Sequence, residues 1–349
     1  MKVLTVVGAR PQIIKAAAVS GPLRRAVREV LVHTGQHYDP QMSDQFFREL
    51  DVPAPDHHLG IGSAPHGVQT GRMLEALEPV MESERPDRVL VYGDTNSTLA
   101  GALAAAKLGI PVVHVEAGLR SYNRAMPEET NRVVTDHVAD LLCCPGDRAV
   151  RNLAAEGITR GVHVTGDVMR DLLERMRPSL TLDTLTTMGL APRTYSLLTL
   201  HRAQNTDDGE RLARILGTLA GAGEPIVFPV HPRTRQALAS AGSFDAGSLR
   251  MIEPLGYRDM LALQQHARVV ITDSGGVQKE AYWLGVPCIT LRDETEWVET
   301  VDAGWNRLVG SDPAAIRAAL RDVPTPAARP DLYGDGRAAE RIAALVSQA

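Results

Sequence analysis

Acidic side chains follow short apolar runs in the first half of the chain, where they could transfer protons. Asp94 and Glu116 each come directly after such a run, and Glu128 opens a helix-like stretch. Glu128 lies four residues before Arg132, on the same face of that helix. We expect the two strand-end carboxylates to face each other across a site entrance, because ends of neighbouring parallel strands meet at one edge of a sheet. Close carboxylates shift each other's pKa, which suits acid/base chemistry.

A turn near the start of the chain could bind an anion. Gly8-Ala9-Arg10-Pro11-Gln12 follows the first apolar run and opens a stretch that contains Lys15. Exposed N–H groups at the start of a helix attract phosphate, and Arg10 and Lys15 would add positive charge. The alternative interpretation is a tight turn with two solvated cations, and this segment alone does not decide between them.

A second glycine-containing segment, Asp273-Ser274-Gly275-Gly276, also follows a predicted strand and opens a helix. We expect Ser274 to cap this helix, and Gly275 and Gly276 to let a phosphate approach the backbone. Glu280, about two turns further along, is a candidate acceptor for ribose hydroxyls. An ordinary capped helix is the alternative. The coincidence of serine, glycines and carboxylate favours a nucleotide site.

Two histidines stand at the ends of predicted strands in the second half of the chain, His201 and His231. A lone histidine is more often structural than catalytic. His201 is the better candidate for proton transfer, since an imidazole titrates near neutral pH. The sequence contains no H-E-x-x-H or comparable metal spacing, so it predicts neither a metal nor a redox cofactor.

Short β-branched runs alternate with helix-like stretches along the whole chain. This pattern predicts parallel strands joined by crossover helices, and therefore an α/β fold of two Rossmann-like, doubly wound domains. A length of 349 residues suits two domains. We predict a domain with the acid/base residues over 1–168, a domain with the nucleotide site over 169–333, and a turn and last helix over 334–349. Ligands of such sheets bind at the carboxyl ends of strands, so we expect a cleft between the domains.

Composition narrows the class of protein and its compartment. The net charge of −5 argues against nucleic-acid binding, which normally requires a basic excess. Three cysteines, two of them adjacent, form no disulfide framework, which predicts a reducing compartment. The apolar run at the N-terminus is too short for a signal peptide, and no stretch is clean enough to span a membrane. The sequence therefore predicts a cytoplasmic protein.

Taken together and in this order, the segments resemble those of the non-hydrolysing UDP-N-acetylglucosamine 2-epimerases over nearly the whole chain. The segments that carry the resemblance are Gly8 to Lys15, His33-Thr34-Gly35-Gln36-His37, Gly93-Asp94-Thr95-Asn96, Glu116 to Arg120, Pro127 to Arg132, His201-Arg202 and Asp273 to Gly276. Each segment alone is modest, but their joint occurrence is specific.

The resemblance implies a glycosyltransferase B-like fold, a homodimer, a last helix that returns to the first domain, and a role in polysaccharide biosynthesis. It implies that UDP is eliminated to a 2-acetamidoglucal and added back after C2 inverts, with no cofactor. It places proton transfer and the sugar site at Asp94, Glu116, Glu128, Arg132 and His201. It places contacts to the UDP-sugar at Arg10, Lys15, Ser274, Gly275, Gly276 and Glu280, and His231 is a further candidate.

The sequence departs from common bacterial members of that family in three segments. These are His201-Arg202-Ala203-Gln204-Asn205, Thr295-Glu296-Trp297-Val298-Glu299 and Gly166-Asp167-Val168. Trp297 stands where those members often have arginine, which puts one phosphate contact and regulation by substrate in doubt. The second and third segments resemble the branch that epimerises UDP-2,3-diacetamido-2,3-dideoxy-glucuronate. The residues also fit a hydrolysing epimerase, a UDP-sugar glycosyltransferase or a UDP-sugar sensor.

Overall fold

The computed structural model describes residues 1–36, 47, 49–241, 245–323, 326 and 328–348. His37 of the family-like segment and the last predicted residue, Ala349, lie outside the described residues. Contacts divide the chain into two units, Met1–Arg175 with Tyr333–Ala349, and Met176–Leu332.

In the described part of the first unit, seven parallel strands form one sheet in the order β3-β2-β1-β4-β5-β6-β7. The strands are β1 Lys2–Val7, β2 Arg28–His33, β3 His57–His58, β4 Arg88–Tyr92, β5 Val112–Val115, β6 Leu141–Cys144 and β7 Val162–Val164. The helices are α1 Arg10–Ala26, α2 His66–Glu84, α3 Asn96–Lys107, α4 Pro127–Val138, α5 Asp147–Ala155, α6 Val168–Met176 and, at the end of the chain, α15 Ala338–Gln348.

Continuous burial explains why the central strands of this sheet read as apolar runs. Leu4, Val6, Val89, Val91 and Val112 are fully buried under flanking helices, as expected for parallel strands covered on both faces. The apolar runs predict first-unit strands over 3–7, 30–33, 88–92 and 111–115, each within two residues of the ends of β1, β2, β4 and β5. The sequence does not predict β6 or β7. It places His57-His58 in a polar surface loop, whereas they form the edge strand β3.

The first unit continues beyond the predicted boundary at residue 168, as far as Arg175, and also includes the C-terminal segment. In α6, Arg175 donates to the carbonyl oxygen of Ala17 at 3.0 Å, and Asp171 accepts hydrogen bonds from the N–H groups of Ala338 and Ala339. Helix α15 also contacts α1. These contacts keep α6 in the first unit, whose last segment starts at Tyr333.

The second unit repeats the architecture, with six parallel strands in the described residues ordered β10-β9-β8-β11-β12-β13. The strands are β8 Ser196–Thr199, β9 Ile226–Pro229, β10 Leu249–Ile252, β11 Val270–Thr272, β12 Cys288–Thr290 and β13 Asn306–Leu308. The helices are α7 Asp183–Thr187, α8 Ala203–Thr206, α9 Gly209–Ala220, α10 Pro232–Ala241, α11 Tyr257–His266, α12 Gly275–Leu284, α13 Val298–Asp302 and α14 Pro313–Arg321. Pro178 lies in a 3-10 turn, Arg177–Ser179, that ends α6.

None of the described helices is long and apolar enough to cross a lipid bilayer.

Candidate active site

In the turn after β1, a nearby side chain accepts hydrogen bonds from the backbone N–H groups. Gln12 Oε1 accepts hydrogen bonds from the N–H groups of Gly8 and Ala9 at 2.9 and 3.2 Å. The prediction that this turn offers exposed N–H groups to a phosphate is therefore wrong for these two groups. Gly8 instead serves close packing, because a Cβ there would lie 2.0 Å from Thr34 Oγ1. Arg10 is half-buried at the first position of α1.

Lys15 projects from the buried face of α1 onto Glu116. Its Nζ lies 2.5 Å from Glu116 Oε1, and the two side chains are 6% and 9% exposed. Gly93 makes room for the ammonium group, because a Cβ at that position would lie 2.7 Å from Nζ. Glu116 itself has φ +71°, a left-handed backbone that residues other than glycine rarely adopt outside constrained sites. Lys15 therefore balances the charge of one predicted acid/base carboxylate.

Asp94 is held by a second buried cation. Arg132 Nε and Nη2 donate to Asp94 Oδ2 at 3.0 and 2.7 Å, and Arg132 Nη1 donates to Glu129 Oε2 at 2.8 Å. The backbone oxygen of Asp94 also accepts a hydrogen bond from Asn131 Nδ2 at 2.9 Å. A guanidinium fixed by two carboxylates has few other orientations, so Arg132 restricts the orientation of Asp94.

The register of two strands brings the predicted carboxylates together. Tyr92 of β4 pairs with Val115 of β5, and the N–H group of Gly93 donates to the Val115 oxygen at 2.9 Å. Asp94 and Glu116 therefore leave neighbouring strand ends on the same edge of the sheet. The register agrees with the predicted placement at neighbouring strand ends. That the two carboxylates face each other across a site entrance stays a prediction.

Glu128 lies half-buried in the first turn of α4, beside a carboxylate that the sequence analysis did not select. That carboxylate, Glu129, accepts hydrogen bonds from the N–H groups of Ser121 and Tyr122, both at 2.9 Å. Burial would raise the pKa of Glu129, but the hydrogen bonds from Ser121 and Tyr122 and the charge of Arg132 lower it below its ordinary value. Glu129 thus fixes the loop that precedes α4.

A buried charge network under the two carboxylates was also missed. His114 Nδ1 lies 2.7 Å from Asp136 Oδ1, and His114 Nε2 lies 2.8 Å from the carbonyl oxygen of Gly93. Asp136 Oδ2 accepts hydrogen bonds from Arg120 Nη1 at 2.7 Å and from the N–H group of Gly118 at 3.1 Å. The network therefore ties together the turns that carry Asp94 and Glu116. In the sequence, the one indication of this network is the acidic residues of α4.

In the second unit, a fully buried carboxylate holds His201. Asp273 accepts hydrogen bonds from the backbone N–H groups of His201 and Arg202 and from Asn205 Nδ2, at 2.9 to 3.1 Å. His201 Nδ1 lies 3.2 Å from Asp273 Oδ1, and the His201 side chain stays 37% exposed. The ring of His231 lies 5.7 Å from that of His201, so the two predicted histidines are neighbours.

The helix that opens at Gly275 begins as predicted, but its capping differs. Ser274 occupies the position before the first helical residue, yet its hydroxyl makes no capping hydrogen bond. Its N–H group instead donates to Thr272 Oγ1 at 2.9 Å. The prediction that Ser274 caps the helix is wrong in this structure. The first N–H groups of a helix have no partner within the helix, so they remain suited to an anion.

Trp297 packs against the same helix. A Cβ at Gly275 would lie 2.9 Å from Trp297 Nε1, which explains the glycine. Lys279 Nζ lies 3.8 Å from the centre of the Trp297 ring, a cation–π contact between two buried side chains. Position 297 therefore holds an aromatic surface against a lysine rather than a cation of its own.

Glu280 is buried further along this helix, where two side chains hold its carboxylate. Tyr257 Oη donates to Oε1 at 2.9 Å, and Gln264 Nε2 donates to Oε2 at 2.8 Å. Its contact with a ribose stays a prediction. Both neighbours belong to α11, so the sequence offered no local signal for them.

Comparisons with known proteins show which family the chain resembles. The family model for UDP-N-acetylglucosamine 2-epimerase matches residues 23–347. A UDP-N-acetylglucosamine 2-epimerase homolog from Methanococcus maripaludis is 51% identical over 90% of each chain. The UDP-2,3-diacetamido-2,3-dideoxy-D-glucuronate 2-epimerase of Pseudomonas aeruginosa is 47% identical over 100% of each chain.

A solved structure covers the whole chain. The crystal structure of the Methanocaldococcus jannaschii UDP-GlcNAc 2-epimerase, in complex with UDP-GlcNAc and UDP, superimposes with a TM-score of 0.95 at 41% identity and covers 100% of both chains. This match confirms the predicted fold class of two Rossmann-like units of the glycosyltransferase B type. Family model, relatives and structure agree that the chain belongs to the UDP-N-acetylglucosamine 2-epimerase family.

Proposed function

We propose that this chain reversibly inverts C2 of a UDP-2-acetamido sugar, with UDP-N-acetylglucosamine and UDP-N-acetylmannosamine as the substrate pair. One observation carries the proposal. Asp94 and Glu116 leave neighbouring strand ends, and each is held by its own buried cation, Arg132 or Lys15. Membership of the epimerase family supports the same reaction.

The reaction requires a weakly acidic C–H bond to be broken. One carboxylate takes the C2 proton, the C–H electron pair forms the C1–C2 double bond, and the C1–O pair leaves with UDP. The product is a 2-acetamidoglucal. UDP adds back to C1 after a proton reaches C2 from the opposite face. This sequence needs acid/base groups on two faces of the sugar and cationic or N–H groups for the diphosphate.

We assign the proton transfers to Asp94, Glu116 and Glu128, with Arg132 and Lys15 as the groups that orient the first two. Two carboxylates held in fixed positions by separate cations could serve opposite faces of the ring. A sensor that only binds UDP-sugar would gain nothing from this arrangement. The groups assigned to the UDP moiety are Arg10, His201, His231, Ser274, Gly275, Gly276 and Glu280.

The test is incubation with UDP-N-acetylglucosamine in deuterated water, followed by proton NMR. The proposal predicts UDP-N-acetylmannosamine with deuterium at C2, and deuterium in the recovered substrate as well. Free N-acetylmannosamine with UDP would assign the chain to the hydrolysing class. No C2 exchange with any UDP-acetamido sugar would reject the proposal and leave a transferase or a sensor.

A second candidate substrate is UDP-2,3-diacetamido-2,3-dideoxy-glucuronate. It is favoured by the Pseudomonas aeruginosa relative, which is 47% identical over the whole chain. The two candidates differ in a C3 amide and a carboxylate on the sugar. Comparing kcat/KM for both substrates under one condition decides between them.

The proposal includes a homodimer in the cytoplasm that supplies a sugar for polysaccharide synthesis. The family resemblance supports the dimer, and three buried, unpaired cysteines are compatible with a reducing compartment. Sedimentation of the purified chain at several concentrations tests the dimer, and a single species at monomer mass would contradict it.

A further inference from the structure

A fully buried carboxylate, Asp273, has no role in the reaction as described above. It is the first residue of the predicted nucleotide segment, yet its side-chain hydrogen bonds run to residues 201–205, which follow β8. Its oxygens accept hydrogen bonds from the N–H groups of His201 and Arg202 and from Asn205 Nδ2, at 2.9 to 3.1 Å. These hydrogen bonds connect the Asp273 carboxylate to one segment of the chain, residues 201–205.

The position of Asp273 follows from the sheet. Strand β11 pairs with β8 in the register Thr272↔Thr199, so the residues after both strands emerge side by side. Asn205 also donates to the carbonyl oxygen of Leu291, the residue just after β12, at 3.0 Å. The loop that carries His201 is therefore bound to two neighbouring strand ends, and its backbone has little freedom.

Asp273 also determines which nitrogen of His201 is available to a ligand. His201 Nδ1 lies 3.2 Å from Asp273 Oδ1, and a carboxylate oxygen can only accept a hydrogen bond. Nδ1 therefore carries the proton of that contact, and Nε2 is the ring nitrogen not committed to Asp273. The His201 side chain keeps 37% of its surface exposed, whereas that of Asp273 is fully buried.

The charge of Asp273 is retained despite its burial. Burial would raise the pKa of Asp273, but the charge of His201, its hydrogen bond, and those from Arg202 and Asn205 lower it below its ordinary value. When both ring nitrogens of a histidine carry protons, both are donors, so Nε2 can donate to a ligand while Nδ1 faces Asp273.

We propose that Asp273 is a positioning residue that acts through His201, holding Nδ1–H so that Nε2–H donates to the diphosphate of the bound nucleotide. This inference rests on the proposed function. His201 then stabilises the negative charge that builds on UDP as the C1–O bond breaks, without transferring its proton. Asp273 itself does not touch the substrate.

A double-mutant cycle tests the inference, with Asp273→Asn, His201→Asn and the double variant, read by kcat, KM and calorimetric Kd for UDP. Asp273→Asn keeps the shape and removes the charge. We expect it to weaken UDP binding and kcat/KM by about ten- to hundredfold, the range found when a metal-ligating histidine loses its carboxylate partner. In the His201→Asn background, Asp273→Asn should lower UDP affinity and kcat/KM by less than about twofold, because Asp273 and His201 act as one unit. Equal losses in both backgrounds would show a merely structural role and overturn the proposal.

A matched control and a measurement on the unmodified chain complete the test. Asn205→Ala removes a different donor to Asp273 and leaves His201 Nδ1 in place. Any decrease in UDP affinity or kcat/KM that it causes should therefore be the same with His201 or Asn at position 201. In the wild-type chain, nitrogen NMR of His201 should show a protonated Nδ1, whether or not any variant folds. An unprotonated Nδ1 would overturn the proposal. Absence of C2 exchange in the wild type would reject the epimerase, while UDP binding and the NMR signal would still test Asp273.

Discussion

At the scale of single residues, two of the three candidate carboxylates each contact a buried cation. Glu116 contacts Lys15 and Asp94 contacts Arg132, and these four side chains come from four different segments of the first unit. A carboxylate held by a buried cation keeps one orientation, which proton transfer to a fixed carbon requires.

Replacing Glu116 with glutamine keeps the size of the side chain and removes its charge. We expect kcat to fall by roughly 10²- to 10⁴-fold, because an amide cannot take the C2 proton. Calorimetric Kd for UDP should change little, because the groups assigned to UDP remain. The control is Glu82→Gln, at an exposed position of α2 in the same unit. Turnover within a few-fold of wild type in Glu116→Gln would refute the assignment.

Alanine variants of Gly93 and Gly109 distinguish the effect of backbone strain from the effect of displacing Lys15. In Gly93→Ala the new Cβ would lie 2.7 Å from Lys15 Nζ at φ +63°, whereas Gly109, at φ +69°, has open space around it. Both alanine variants should lose about 1–2 kcal/mol of stability from the left-handed backbone. Only Gly93→Ala should also lose turnover. Urea unfolding and initial rates measure the two effects, and equal turnover in both variants would contradict the prediction.

At the scale of elements, the network around Asp136 fixes two strand-end turns against α4. Asp136 on α4 binds His114 of β5, Arg120 and the backbone of Gly118, while His114 binds the Gly93 turn. The turns that carry Asp94 and Glu116 therefore depend on one buried carboxylate outside both turns.

Asp136→Asn should destabilise the protein by roughly 3–5 kcal/mol at neutral pH, because it removes the buried anion between His114 and Arg120 and leaves Arg120 with Glu156 as its carboxylate partner. Burial would raise the pKa of Asp136, but His114 and Arg120 lower it below its ordinary value. A depressed pKa contributes stability that is present above the unfolded pKa, about 3.9, and is lost as the pH falls through the folded value. The difference between variant and wild type should therefore shrink below about pH 4. Chemical unfolding from pH 7 to pH 3 measures it, and a difference that grows on acidification would contradict this account.

At the scale of the whole molecule, the first unit is discontinuous in sequence. Its last helix, α15, buries Ala339, Ile342, Ala343 and Val346, and it contacts α1 at the other end of the chain. The N–H groups of Ala338 and Ala339 are bound by Asp171. The last segment is therefore part of the first unit's core.

Ile342→Ala should lower the free energy of unfolding by about 2–5 kcal/mol, since Ile342 is fully buried. Gln348→Ala, at an exposed position of the same helix, should leave stability within about 0.5 kcal/mol of wild type. Far-ultraviolet circular dichroism in urea compares the two. Equal midpoints would show that α15 contributes little to the core.

Sequence patterns were enough to predict the fold class and most of the central strands, and they selected candidate residues for the site. The reason is local: continuous apolar runs specify buried parallel strands, and residues directly after them lie at the sheet edge where ligands bind. Asp94, Glu116, His201 and the Gly275 helix were therefore selected from position alone. Short strands such as Leu141–Cys144 were missed, because four apolar residues carry no turn signal or period of their own.

Only the tertiary structure decided which side chains bind one another. Lys15 meets Glu116 across 101 positions of sequence, and His201 meets Asp273 across 72. Local patterns suggested a free phosphate-binding turn at Gly8, but Gln12 accepts a hydrogen bond from the Gly8 N–H group. They also suggested a capping hydroxyl at Ser274, but that hydroxyl makes no capping hydrogen bond. Such partners follow from strand order and register, which depend on the energy of the whole packed sheet rather than on any single segment.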